Sequence, residues 1–246
     1  IVYKLVTLLF GGIPVEVPTQ DYRHDLKGMA AAVTDRTKLV FLASPDNPSG
    51  SANSKAEILE LISSLPEHVV FVLDEAYSEY LDEPIDLREL IAEGKKVFCT
   101  RTFSKIYGLA GLRIGYGYGD SELVSLLNRA REPFNANAVA QSAAIAALED
   151  REFVERCRLE NATEVAFLED RLKSLGVEYI KSFANFVTAK AGDGVAAFEA
   201  MQRDGVIVRP LAPYGMEEWV RISVGTRSAN ERALDSLTSF LSMRGA

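Results

Sequence analysis

The chain has 246 residues, 48% hydrophobic and 25% charged, with 35 acidic side chains against 27 basic ones and a net charge of −8. That is the balance of a globular protein with one large domain, or one large and one small. The acidic excess argues against a nucleic-acid partner, which needs a basic face to neutralise phosphates, and no window is apolar and long enough to make the membrane a partner. Cys99 and Cys157 cannot make a disulfide framework, and His24 and His68 lack zinc-ligand spacing, so no metal is expected. A cytoplasmic location fits this composition.

In chain order, residues 1–10 read as the end of a helix stopped by Gly11 and Gly12. A short strand is predicted over 14–17, then a helix over 26–33 capped by Asp25. KLVFL at 38–42 reads as a buried strand and 43–50 as a loop of turn formers. A helix over 54–64 precedes VVFVL at 69–73, whose continuous apolar run belongs to a parallel sheet covered on both faces. Further strands are predicted over 97–102 and 113–118. This alternation predicts an α/β architecture with a mostly parallel sheet.

After about Glu132 the character changes. Helices are predicted over 137–148 and 153–175, the second closed by Gly176, and then over 195–203 and 230–243. Short strands fall near 177–180, 186–189, 206–209 and 220–224. The expectation is a large domain over 1–150 and a smaller α+β domain over 151–246, with no internal repeat.

Three loops each follow a predicted strand, where ligands of open α/β sheets bind. They carry Asn47, then Asp74 and Tyr77, then Thr102, Ser104 and Lys105, the last followed by a Gly-rich turn and Arg113. Singly, each has an ordinary explanation: a turn, a helix cap, a solvated charge. Their joint order on these elements is harder to dismiss. The glycines from Gly108 to Gly119 do not make the GxGxxG of a dinucleotide fingerprint.

SPDNPSG, VFVLDEAYSEY, TRTFSKIYGLAGLRIGY and VRISVGTRSANERAL together resemble the pyridoxal-phosphate aminotransferases of fold type I, class I/II, most closely the histidinol-phosphate group. The most specific part is Ser-Lys-x-x-x-Leu-x-Gly-x-Arg, from Ser104 to Arg113. The resemblance implies Lys105 as the Schiff-base lysine and proton shuttle, a task that takes a partly neutral amine. It implies Asp74 against the pyridine nitrogen, Asn47 and Tyr77 on the ring's phenolic oxygen, and Thr102, Ser104 and Arg113 on the cofactor phosphate. Arg221, Arg209 and Asn185 match substrate-side positions. The plain alternative for the two arginines is a surface salt bridge.

The implied activity is transfer of an amino group from L-histidinol phosphate to 2-oxoglutarate in histidine biosynthesis, by a homodimer. Three alternatives stay open on the residues alone. One is a sister enzyme, either an aromatic aminotransferase or a phosphothreonine decarboxylase. Another is a non-catalytic pyridoxal-phosphate-fold module. The third is an inactive shortened copy, because relatives carry a further N-terminal block that cannot be placed here.

Overall fold

The computed structural model describes residues 2–244. The chain folds as two compact units. The first holds the chain up to Pro45 and Ala52–Val154; the second holds Asp46–Ser51 and the chain from Glu155 on.

In the first unit, helix α1 (Val2–Leu9) buries no side chain and is closed by Gly11 at φ +73°. Helix α2 (Leu26–Ala31) starts at Asp25, whose carboxylate accepts from the Gly28 N–H, as the sequence predicts. Helix α3 (Lys55–Ser64) opens with a full capping box: Ser54 caps the Glu57 N–H, and the Glu57 carboxylate returns to the Ser54 N–H. These helices lie along a four-stranded sheet in the order β1 (Leu39–Ala43), β2 (Val70–Asp74), β3 (Val97–Thr102), β4 (Gly115–Gly119). The first three strands are parallel and β4 is antiparallel to β3. Register places Val40, Phe71 and Val97 in one row and Leu42, Leu73 and Cys99 in the next. All six are buried, packed with Leu26 of α2 and Ile58, Leu61 and Ile62 of α3. Alternation then sends Phe41, Ala43, Val72, Asp74, Thr100 and Thr102 to the opposite face.

Two sequence expectations fail in this unit, and two helices lie outside them. Residues 14–17 form no strand, since no described strand lies beside them to complete a ladder. Arg113 does not begin a strand: it ends a 3-10 turn (Ala110–Leu112) in the left-handed conformation, and β4 starts at Gly115. The additional helices are α4 (Arg88–Ala92) and α5 (Ser121–Ala130). Helix α6 (Ala138–Glu149) follows, capped by Asn137.

Helix α7 (Arg151–Ser174) runs into the second unit. Its antiparallel sheet has the order β5-β6-β8-β7, from β5 (Tyr179–Ile180), β6 (Phe186–Lys190), β7 (Arg209–Leu211) and β8 (Met216–Ser223). Val187 and Ala189 of β6 and Val220 and Ile222 of β8 bury one face. Against it pack Leu168 and Leu172 of α7, Met201 of α8 (Gly194–Arg203), and Leu234, Leu237 and Phe240 of α9 (Arg227–Arg244). Among the described residues no helix is long and apolar enough to cross a membrane.

Candidate active site

Asp74 is the last residue of β2, with Ala43 and Thr100 as its neighbours across the sheet. Both of its carboxylate oxygens are held: Oδ1 accepts from the Ala76 N–H at 3.0 Å, and Oδ2 accepts from the Tyr3 hydroxyl at 2.5 Å. An ionised carboxylate offers about four lone-pair sites, so acceptor capacity remains for a further cationic or N–H donor. Sequence reasoning misses Tyr3. It lies 71 residues from Asp74, and a lone tyrosine on a short helix gives no signal.

Tyr77 follows the strand end by three residues and is only 4% exposed. The Lys105 ammonium lies 5.1 Å from the centroid of its ring, the distance of a cation–π contact. Lys105 sits on the loop leaving β3, closed by the Gly108 N–H bonding the Lys105 carbonyl and the Leu109 N–H bonding the Phe103 carbonyl. Gly108 takes φ +69°, a conformation glycine adopts without strain.

The same loop gathers Thr102, Ser104 and Arg113. The Ser104 N–H donates to Thr102 Oγ1 at 3.1 Å, and Arg113 Nη1 reaches Ser104 Oγ at 3.4 Å and the Ala110 carbonyl at 2.9 Å. Arg113 has φ +53°, uncommon for a residue with a Cβ. That turn aims the guanidinium back at the loop rather than along β4. Two hydroxyls and a guanidinium held together suit a phosphate dianion.

Beneath this face lies a polar cluster that the sequence does not reveal. Glu75 is 1% exposed; its Oε2 accepts from Arg101 Nε at 3.0 Å and from the Tyr118 hydroxyl at 2.8 Å. Burial, reinforced by the Glu75 charge, raises the proton affinity of the Tyr118 phenol and pushes the Cys99 thiol up to about 12. Tyr118 therefore stays a donor. The cluster anchors the end of β2 one residue from Asp74.

The remaining candidates belong to the second unit. Asn47 accepts through Oδ1 a hydrogen bond from Arg221 Nη1, and the Pro48 carbonyl accepts from Thr188 Oγ1 at 2.7 Å. Residues 46–51 therefore lie on the face opposite the apolar core. Gly50 makes that seat possible. It has φ +80°, and a Cβ there would meet Ser182 Oγ at 2.8 Å.

The Arg221 guanidinium stacks 4.9 Å above the Phe186 ring, and its buried Nε has no hydrogen-bond partner. Arg209 is directly opposite Arg221 in the β7–β8 ladder. Among the described residues neither arginine makes an ion pair, so the surface salt bridge considered above is not what holds them. Like charges facing each other are unfavourable, and an anion between them would relieve that cost. Asn185 stands apart: its carbonyl accepts from the Val224 N–H, and its side chain bonds neither arginine.

Comparison with known proteins gives the family. The family model described as aminotransferase class I and II matches residues 3–237. A histidinol-phosphate aminotransferase of Akkermansia muciniphila is 45% identical over 97% of this chain and 66% of its own length. One from Methylobacillus flagellatus is 43% identical over 99% of this chain and 66% of its own length. The chain thus spans about two thirds of the length of these relatives. The crystal structure of histidinol-phosphate aminotransferase from Sinorhizobium meliloti in complex with pyridoxal-5'-phosphate superposes with a TM-score of 0.88 at 29% identity, covering 98% of this chain and 68% of that one. On these matches and this fold, the chain belongs to the class I and II aminotransferases.

Proposed function

We propose that the protein is a pyridoxal-phosphate aminotransferase that moves an amino group from L-histidinol phosphate to 2-oxoglutarate. The observation that carries the cofactor reading is the grouping, at the ends of β2 and β3, of one carboxylate, one lysine and one anion-binding loop. The donor set suits the cofactor: Asp74 for a protonated ring nitrogen, Lys105 for an aldehyde carbon, and Thr102, Ser104 and Arg113 for a phosphate. When bound, pyridoxal phosphate supplies a ring that accepts electrons from the carbon bearing the substrate amine.

The chain's own residues do the rest. Asp74 would hold a proton on the ring nitrogen by accepting a hydrogen bond from it. Arg113 and the two hydroxyls fix the phosphate end, and so the direction in which the reacting carbon points. Lys105 would take the proton from the carbon bearing the substrate amine and return it to the cofactor's aldehyde carbon on the far side of the nitrogen, acting as general base and then acid. Tyr77, packed beside Lys105, would hydrogen-bond to the ring oxygen. For the substrate, the facing pair Arg209 and Arg221 is the cationic surface that a phosphorylated amine calls for, with Asn185 a lesser candidate. A homodimer working in the cytoplasm, in histidine biosynthesis, completes this reading.

The test is to mix the chain with pyridoxal phosphate, reduce with borohydride and map the label by peptide mass spectrometry. Labelling at Lys105, lost in Lys105→Ala, is the expected result. Labelling spread over other lysines, unchanged in Lys105→Ala, would remove Lys105 from the site. Glutamate formation from 2-oxoglutarate with L-histidinol phosphate, but not with phenylalanine, tests the substrate; the reverse preference would replace it with an aromatic amine.

A further inference from the structure

An aspartate side chain ends in a soft torsion, and its carboxylate plane swings unless donors hold both oxygens. In Asp74 they do. The Ala76 N–H donates to Oδ1 and the Tyr3 hydroxyl to Oδ2. The second donor is itself held. The Tyr3 ring stacks on Phe41 with centroids 5.0 Å apart and planes 9° from parallel, and Phe41 lies on the same face of the sheet as Asp74. The Tyr3 carbonyl also accepts from Thr7 Oγ1 at 2.7 Å, within the same helix. This contact brings α1, which buries no side chain, onto the sheet beside the carboxylate.

We propose that Tyr3 is a positioning residue: its hydroxyl fixes the plane of the Asp74 carboxylate so that the remaining lone pairs meet a protonated ring nitrogen. This rests on the cofactor reading above. The choice of a phenol has a physical reason. A lysine or arginine at this place would orient the carboxylate too, but would neutralise it and weaken its hold on a cationic ring. A neutral donor orients without cancelling the charge. Without the hydroxyl, the carboxylate would have to be ordered at the moment the cofactor binds, and that cost would appear as lost affinity.

The bland explanation is that Tyr3 merely pins α1 to the sheet. The two roles separate on a ligand pair: pyridoxal phosphate and its 1-deaza analogue, in which a carbon replaces the ring nitrogen. The measurement is the dissociation constant of each for the unaltered chain and for Tyr3→Phe, which keeps the stacked ring and removes only the donor. Circular dichroism checks the fold of each. The expected result is that Tyr3→Phe binds pyridoxal phosphate about tenfold more weakly while its affinity for the deaza analogue is unchanged.

Equal weakening of both ligands would leave Tyr3 only the pinning role, and no change in either would deny it any role in binding; either result overturns the proposal. An unaltered chain that does not distinguish the two ligands would instead overturn the cofactor reading, and this proposal with it. If Tyr3→Phe does not fold, Phe41→Leu carries the test. It keeps the hydroxyl but loosens its ring, so it should lower the same affinity ratio by a smaller factor, and an unchanged ratio there would sink the idea.

Discussion

Each unit is built on a sheet with one buried face, but the two faces are filled differently. In the second unit the buried face is apolar throughout, from Val187 and Ala189 to Val220 and Ile222 under α7, α8 and α9. Its polar chemistry, Thr188 and Arg221, is confined to the other side. In the first unit the buried rows end in charge: past Leu73 and Cys99 come Glu75, Arg101 and Tyr118, bonded to one another. Asp74 and Thr102 occupy the opposite face. A strand turned into a reactive edge therefore carries polar groups on both sides at its end, whereas a strand that only scaffolds sorts them by parity. The cluster on the hidden side is the support for the exposed one.

That contrast can be broken from either side. The largest effect on stability is expected for Glu75→Ala, which removes the acceptor of the Tyr118 hydroxyl and of Arg101 Nε and leaves Arg101 only Glu79, at 3.8 Å; about 4 kcal/mol should be lost in urea unfolding. A loss under 1 kcal/mol would mean that the cluster is incidental. Leu237→Ala opens a cavity in the dry core of the second unit and should cost about 3 kcal/mol in the same assay. Amide exchange should assign the first loss to the β2–β3 region and the second to β6 and β8. Gly50→Ala, which forces a Cβ into Ser182 at a positive φ, should cost about 2 kcal/mol. Ser54→Ala removes half of a capping box and should cost about 1 kcal/mol, read as a lower melting temperature.

The smallest effect is one of pH, and here one carboxylate from each unit should act in opposite senses. Burial raises the proton affinity of the Glu79 carboxyl. The stability linked to this group is complete below the ordinary carboxylate value and is lost as pH rises through the raised one. In the second unit, the hydrogen bond from Arg227 holds Glu164 below its usual value. Its contribution is complete above the ordinary value and fades as pH falls through the lowered one. Followed from neutral pH into mild acid, unfolding free energy should fall more steeply in Glu79→Gln, and less steeply in Glu164→Gln, than in the unaltered chain. Equal slopes in the two variants would refute the opposition.

Most of this is readable from the sequence where a local rule operates. The apolar run VFVL marks β2, Asp25 and Ser54 mark helix starts, and Gly176 marks the end of α7. The Ser104–Arg113 spacing gathers the anion-binding residues because they share one loop. Residues 14–17 mislead because alternation without a neighbouring strand has nothing to pair with. Helix α5 is there to be found in Asp120, which caps two N–H groups ahead of Leu123, Leu126 and Leu127. Long-range partners have no local signature at all: Tyr3 with Asp74, Glu75 with Arg101 and Tyr118, and Asn47 with Arg221 meet only through the folded topology.

The six residues Asp46–Ser51 belong to the second unit although both of their flanks belong to the first. The chain therefore passes from one unit to the other three times rather than once. A protein cut after Val154 would not yield two complete pieces. The later fragment would lack the segment whose Pro48 carbonyl accepts from Thr188 and whose Asn47 accepts from Arg221. Dissection of this molecule calls for a circularly permuted or complemented chain, and ribosomal synthesis must leave that short segment waiting, unpartnered, until more than a hundred later residues have emerged.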